Sequence, residues 1–265
     1  MKITLNGKER DVEAGRTVLE AAREAGLDIP ALCAHDELAP YGSCRLCIVE
    51  ATERGRKRPK IVASCLYPVK EGLEVQTETE RVRRYRRLLI ELMLARTPDA
   101  PAVKELAAKY RVKKPRFAAL NDDCVLCGKC VRVCAEVVGA NAIGFAQRGI
   151  NRRVESPFGK DISRCIACGA CTYVCPTGAV QMEFKRTAEL RKGKGEHLCR
   201  YTVMGLIPDA VCSLNYECFR CEIDQRLRAE AGTHPVFLLA RKKEAAEKAG
   251  TRKIAKKRIA KKARR

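Results

Sequence analysis

The chain has 265 residues, 53 Lys or Arg against 32 Asp or Glu for a formal net charge of +21, 16 Cys, no Trp and 5% aromatic residues. That length suits one to three small domains, and no stretch nears the roughly eighteen uninterrupted apolar residues of a spanning helix, so membrane insertion is not expected. Segment 1–7 lacks the basic start and apolar run of a secretory leader, so the expected compartment is the cytoplasm, where dense Cys usage reads as metal binding or redox chemistry rather than a disulfide framework.

Residues 1–78 read as a small mixed α/β module. Lys2, Ile3, Thr4 and Leu5 alternate and meet Asn6-Gly7, a dipeptide favoured in tight hairpins, with residues 8–12 as the return strand. Thr17 and Glu20 form a capping box that opens an Ala-rich helix, and Gly26 is its stop. A Cys-bearing loop runs from Cys33 to Cys47, and Cys47-Ile48-Val49-Glu50 then looks like a strand. Residues 54–60 are basic, with Gly55 and Pro59, and read as an exposed loop; Leu73, Val75 and Thr77 alternate as a last strand.

Residues 79–120 form a helical linker. Over 80–96 the apolar residues Val82, Tyr85, Leu88, Leu89, Leu92 and Met93 fall at helical spacing, a stripe expected to pack against the first module. A shorter helix is expected over 102–110. Residues 121–184 make a second module dominated by two Cys repeats, and residues 185–240 hold four more Cys. The tail, 241–265, carries 13 Lys or Arg against Glu244 and Glu247, with no apolar stripe that demands burial. It reads as disordered or as a solvated helix. With few aromatics the cores are expected to be small, and metal clusters would cross-link loops in place of part of a core.

The strongest signal is the internal repeat. Cys124-x2-Cys127-x2-Cys130-x3-Cys134 recurs as Cys165-x2-Cys168-x2-Cys171-x3-Cys175-Pro176. This is the spacing of two-cluster ferredoxins, in which three Cys wrap one [4Fe–4S] cubane and the fourth points to its neighbour. The expected sharing is Cys124, Cys127, Cys130 and Cys175 on one cluster, and Cys165, Cys168, Cys171 and Cys134 on the other. Gly128 and Gly169 let the loop backbone approach inorganic sulfide. Zinc-binding Cys pairs are the bland alternative, disfavoured by two repeats of identical spacing.

A second constellation, Cys33-x10-Cys44-x2-Cys47-x17-Cys65, suits a [2Fe–2S] cluster held by a loop and a strand end, although the spacing departs from the plant-type pattern. Structural zinc is again the alternative. His35 reads as a surface or hydrogen-bonding residue, since a Rieske-type site needs two His. The third group, Cys199-x12-Cys212-x5-Cys218-x2-Cys221 with His197 nearby, suits a zinc ion or a further [4Fe–4S] cluster. Each four-Cys cluster carries a charge of roughly −2 when oxidised, so the folded body is less basic than its formal count.

These residues carry a resemblance. Cys44-Arg45-Leu46-Cys47-Ile48-Val49-Glu50, Ala63-Ser64-Cys65 with Val69-x-Glu71-Gly72, Cys127-Gly128-Lys129-Cys130-Val131-Arg132-Val133-Cys134-Ala135-Glu136, Cys168-Gly169-Ala170-Cys171 and Cys175-Pro176-Thr177-Gly178-Ala179 are similar to the N-terminal part of the large iron–sulfur subunit of respiratory complex I. They are similar too to accessory parts of [FeFe]-hydrogenases, NAD-linked formate dehydrogenases and diaphorase subunits of NAD-reducing hydrogenases. The resemblance covers residues 1–184. It implies an α+β fold over that span: an N-terminal β-grasp [2Fe–2S] ferredoxin-like domain, then a two-cluster [4Fe–4S] ferredoxin-like domain. A small Cys-rich C-terminal module and a basic tail follow, beyond the resemblance and read from the residues alone. Many such relatives hold one more cluster after the long helix, through His and Cys ligands. Here that stretch reads Arg96-Thr97-Pro98-Asp99-Ala100-Pro101-Ala102-Val103, and no Cys or His occurs from Leu66 to Asp123. That cluster is expected to be missing.

Nothing in the chain resembles a substrate site. No Gly-rich dinucleotide fingerprint follows a strand, Gly193-Lys194-Gly195 is too short for a phosphate loop, and no paired carboxylates stand out as acid–base machinery. The expectation is a non-catalytic iron–sulfur electron-relay subunit of a cytoplasmic oxidoreductase complex. It would pass single electrons between a flavin-containing NADH-oxidising subunit and a second redox subunit or carrier. The competing class is a nucleic-acid-associated protein using the basic tail, disfavoured by the lack of interleaved aromatics. A redox sensor is a third option, and no DNA-reading helix-turn-helix supports it.

Overall fold

The computed structural model describes residues 1–159, 164–181, 198–214, 216–239 and 241. The expectations placed on His197, on Gly193-Lys194-Gly195 and on the tail beyond Arg241 lie outside the described residues. The chain forms two compact units, Met1–Lys129 with Cys175–Ala179, and Cys130–Val174 with Val180–Arg265.

The first unit is built on a five-stranded mixed sheet of order β2-β1-β5-β3-β4. Its strands are β1 (Lys2–Leu5), β2 (Lys8–Asp11), β3 (Ile48–Thr52), β4 (Lys60–Ala63) and β5 (Leu73–Gln76). β1 and β5 pair parallel, and the other neighbours pair antiparallel. Period-2 alternation sets the core face: Ile3, Leu5, Val49, Ala51, Leu73 and Val75 are buried. Helix α1 (Val18–Glu24) covers that face with Val18, Leu19, Ala21 and Ala22. It starts where the capping box places it: the Glu20 amide donates to Thr17 Oγ1 at 3.3 Å, and the Thr17 amide donates to Glu20 Oε2 at 2.7 Å. Strand β4 has no clear sequence signal, because a basic loop and a cysteine leave it only Ile61 and Val62 as β-formers.

Helix α2 (Glu80–Arg96) and helix α3 (Pro101–Tyr110) pack together in the same unit. Thr79 caps α2, its hydroxyl accepting from the Val82 amide at 3.2 Å. The apolar stripe expected of α2 needs correction. Tyr85, Leu88 and Leu92 are exposed, and the buried face is Val82, Arg86, Ile90 and Leu94. A fully buried arginine therefore stands in a face where the period predicts apolar residues; its hydrogen bonds make this tolerable.

In the second unit α4 (Lys129–Arg132) leads into a π-helical turn, Val133–Val137. A short antiparallel hairpin follows, β6 (Gly144–Ala146) with β7 (Arg153–Glu155). α5 (Ala170–Tyr173) packs on the π-helical turn. Farther on, α6 (Arg200–Val203) and α7 (Glu222–Ala231) enclose a small core of Tyr201, Leu206, Leu227 and Ala231. The class is α+β. No helix among the described residues is long and apolar enough to cross a membrane.

Candidate metal centres

In the first unit Cys33, Cys44, Cys47 and Cys65 are all buried. Cys47 stands directly before β3, and Cys65 lies just past β4. The β3–β4 register pairs Ile48 with Ala63, which brings these two cysteines to one end of the strand pair. Ser64 locks that end, its hydroxyl donating to the Cys47 carbonyl at 2.7 Å and its amide at 3.1 Å. The loop before β3 turns through two left-handed residues, Gly42 (φ 67°) and Arg45 (φ 59°). The turn lets the Cys44 amide donate to Cys33 Sγ at 3.4 Å.

The four thiols compete for protons. Hydrogen bonds from Cys44 and then Cys65 hold the Cys33 thiol well below its ordinary range. The same bonds to Cys33 push Cys44 and Cys65 up. Cys47 is lowered to about 6, first by its bond from Cys65. Such crowding is costly for free thiols, and it is relieved when a cation takes the thiolates and the protons leave.

Arg86 supports this loop from α2 and is a residue that sequence reasoning missed. Its Nε donates to the Leu46 carbonyl at 3.0 Å and its guanidinium to the Ile48 carbonyl at 2.8 Å. Both carbonyls flank Cys47. It also donates to Tyr110 Oη at 2.9 Å and pairs with Glu78.

Gly42 tests how much the turn matters. A Cβ there would stand 2.3 Å from Leu66 Cδ1, but that side chain is flexible and half-exposed, so most of the cost is the left-handed backbone. Gly42→Ala is expected to destabilise the unit by about 1–2 kcal/mol, read as a lower denaturant midpoint at unchanged slope. A midpoint equal to wild type would show that the turn is not held in that conformation.

The first unit also contains Cys124, Cys127 and Cys175. Burial pushes Cys124 and Cys127 up, and both feel the charge of Cys175. Arg96 fixes the entry to this loop, its Nε donating to the Cys124 carbonyl at 2.7 Å and its guanidinium pairing with Asp122 at 2.5 Å. Cys130 belongs to the second unit, on α4.

In the second unit Cys134, Cys165, Cys168 and Cys171 line one apolar cavity, together with Val138 and Ala142. Burial pushes Cys168 up to about 12 and raises Cys171 as well. The Ala142 amide donates to Cys134 Sγ at 3.3 Å.

The two repeats share a backbone device that spacing alone does not reveal. Leu126 (φ 54°) and Ala167 (φ 55°) are left-handed non-glycine residues, and Gly128 (φ 75°) and Gly169 (φ 77°) follow in the same conformation. The Leu126 amide donates to Cys124 Sγ at 3.3 Å, and the Ala167 amide to Cys165 Sγ at 3.4 Å. Strain stored in matched places at matched thiols points to a common ligand. Amides aimed at sulfur are what a thiolate-bound cluster needs to stabilise its added charge.

A buried histidine, also missed by sequence reasoning, backs the second-unit cavity. His234 bonds to the Cys168 backbone, accepts from the Val236 amide at 3.2 Å through Nδ1, and lies 5.3 Å from the Tyr173 ring centre. Burial lowers its pKa to about 3, so it is neutral. The fourth group is in the second unit as well: Cys199 is buried, and Cys212, Cys218 and Cys221 are partly exposed.

Among the described residues no three or more His, Cys, Asp or Glu side chains are gathered into a ready single-ion site. A cluster asks for a wider setting, because its irons and sulfides stand between the thiolates. Within the first unit, one buried apolar cluster contains Cys33, Cys44, Leu46, Ile90 and Cys127 together. The Ser43 hydroxyl donates to the Leu126 carbonyl at 3.1 Å, joining the two Cys loops directly.

Residues 1–80 match the family model of a 2Fe-2S iron-sulfur cluster binding domain, and residues 123–179 match that of a 4Fe-4S dicluster domain. The chain is 34% identical over 205 residues to the NADPH-Fe(3+) oxidoreductase subunit alpha of Geobacter sulfurreducens, covering 68% of this chain and 24% of that protein. It is 30% identical over 207 residues to the mitochondrial NADH-ubiquinone oxidoreductase 78 kDa subunit of Candida albicans, covering 68% of this chain and 28% of that protein. The chain thus spans about a quarter of the length of these curated relatives. Among solved structures, a chain of the NAD+-reducing [NiFe]-hydrogenase in the H2-reduced state is similar, with a TM-score of 0.52 and 31% identity over 71% of this chain and 82% of that one.

Proposed function

Because the chain belongs to the family of iron–sulfur oxidoreductase subunits that includes this hydrogenase chain and the 78 kDa subunit of NADH-ubiquinone oxidoreductase, we propose that it works as a single-electron relay in an oxidoreductase complex, between a flavin-containing NADH-oxidising subunit and a second redox subunit or carrier. Cys33, Cys44, Cys47 and Cys65 would hold a [2Fe–2S] cluster. Cys124, Cys127, Cys130 and Cys175 would hold one [4Fe–4S] cluster, and Cys165, Cys168, Cys171 and Cys134 a second. When bound, each cluster would supply one-electron chemistry, which splits a two-electron hydride event into single steps.

The observation that carries this reading is the apolar cluster shared by Cys33, Cys44 and Cys127, closed by the Ser43–Leu126 hydrogen bond. The stretch where relatives place another cluster has no Cys or His from Leu66 to Asp123. A direct step between the two loops is therefore what this chain needs, and its residues bring them into one core. Amide donors on Cys33, Cys124, Cys134 and Cys165 favour the reduced state by offsetting negative charge on sulfur.

Anaerobic native purification tests the relay. Three clusters correspond to about 10 Fe per chain, with acid-labile sulfide to match. The expected result is that yield, recovery with a flavin-containing NADH-oxidising subunit, and NADH-driven reduction of both [2Fe–2S] and [4Fe–4S] signals by electron paramagnetic resonance. Recovery as a zinc protein without labile sulfide would remove the reading altogether. Clusters present but never reduced through a bound partner would remove the complex-subunit claim.

A further inference from the structure

The C-terminal part of the second unit carries an unmet buried donor. Arg200 is 5% exposed and Asp224 is 1% exposed. The Arg200 guanidinium donates to Asp224 Oδ1 and to Tyr201 Oη, each at 2.7 Å. Asp224 also receives Arg228 at 2.5 Å, so two guanidinium groups share one carboxylate. The Arg200 Nε–H has no hydrogen-bond partner among the described residues. A buried donor left unmade costs free energy.

Four thiols lie on the neighbouring segments, and Cys218 is close enough to interact with Arg200. An antiparallel bridge between Leu198 and Val211 is flanked by Cys199 and Cys212, and the Cys199 amide donates to the Ala210 carbonyl at 2.8 Å. A tight turn, Cys218–Arg220, ends with the Cys221 amide donating to the Cys218 carbonyl at 3.0 Å, and α7 begins directly after Cys221. The Tyr216 amide donates to Cys212 Sγ at 3.4 Å, and Tyr216 Oη donates to the Leu198 carbonyl at 3.2 Å, tying the turn to the bridge. Cys218 feels Arg200, Asp224, Cys212 and Cys199, so these groups are close together.

We propose that Cys199, Cys212, Cys218 and Cys221 together hold a fourth thiolate-bound metal centre, a [4Fe–4S] cluster or, with the thiols drawn closer together than they stand here, a zinc ion, and that the Arg200 Nε–H donates to one of its thiolates. Binding releases the thiol protons to solvent and leaves four metal–sulfur bonds. Either centre carries a net charge of about −2, which favours a guanidinium N–H beside its thiolates. Arg200 acts as a positioning residue, because it touches the ligands and not the metal.

The centre is separate from the relay, and one experiment keeps them apart. Full-length chain, purified anaerobically, is assayed for iron, zinc and acid-labile sulfide. A wild type with about 10 Fe and one zinc identifies the zinc form; about 14 Fe with matching sulfide identifies the cluster form. About 10 Fe with no zinc overturns the proposal and leaves the relay standing. Cys221→Ser is expected to lose only the extra zinc or about 4 Fe, the remaining 10 or so reporting that the rest is folded. For Arg200, the readout is the rate at which that metal leaves to an added chelator. Arg200→Met is expected to speed loss about tenfold or more, with Arg200→Lys between it and wild type. A rate unchanged in Arg200→Met overturns the assigned role of Arg200.

Discussion

Arg86→Met is expected to destabilise the first unit by about 3–5 kcal/mol and to release its [2Fe–2S] cluster, although the residue is remote in sequence from every cysteine. Arg86 is wholly buried and spends its donors on the Leu46 and Ile48 carbonyls, Tyr110 and Glu78. Methionine keeps most of the volume, so the loss is not chiefly a cavity. It leaves two buried carbonyls without donors, at roughly 1–3 kcal/mol each. Glu78 is partly exposed and can recover water, so it adds less. The carbonyls belong to the residues on either side of Cys47, and their release lets that ligand turn away. Arg84→Met, on the exposed side of the same helix, is the control and is expected to change stability by no more than about 0.5 kcal/mol. Denaturant midpoints and the [2Fe–2S] absorption of both variants decide it. Equal behaviour of the two variants would mean that the guanidinium does not hold the loop.

The contrast between these two arginines marks where sequence reading stops. Asn6-Gly7, the Thr17–Glu20 capping box and the span of α2 are legible because each signal is local: a turn dipeptide, a cap, a period. Cysteine spacing is local in the same way, and the match of residues 123–179 to a 4Fe-4S dicluster domain rests on the span that holds the repeat. Burial of a charge is not local. Nothing near Arg86 distinguishes it from Arg83, Arg84 or Arg87, and only the carbonyls contributed by residues 46 and 48 make its burial favourable. His234 and the Arg200–Asp224 pair escape in the same way, because their partners are tens of residues away or on backbone. The left-handed Leu126 and Ala167 are hidden by their side chains, which give no warning of that conformation. The exposed Tyr85, Leu88 and Leu92 mislead the reading of α2 because a helical period reports a stripe and not which stripe is covered.

The crossed ligation offers the other large effect. Cys175→Ala is expected to break the cubane of the first repeat, and Cys134→Ala that of the second, each removing up to about 4 Fe per chain. Proximity in sequence argues the reverse, since Cys175 closes the second repeat and Cys134 the first. The contacts argue for crossing: Cys175 is felt by Cys124 and Cys127, whereas Cys134 lines the cavity of Cys165, Cys168 and Cys171. Iron content alone does not separate the two arrangements, because either loses one cubane. The thiols set free do. Alkylation followed by peptide mapping is expected to label Cys124 and Cys127 in Cys175→Ala, and Cys165, Cys168 and Cys171 in Cys134→Ala. Labelling of Cys165 in Cys175→Ala, with Cys124 protected, would mean that each repeat closes its own cluster. The cavity around Cys134 would then be a packing feature, and the step between the two repeats would have to be drawn again.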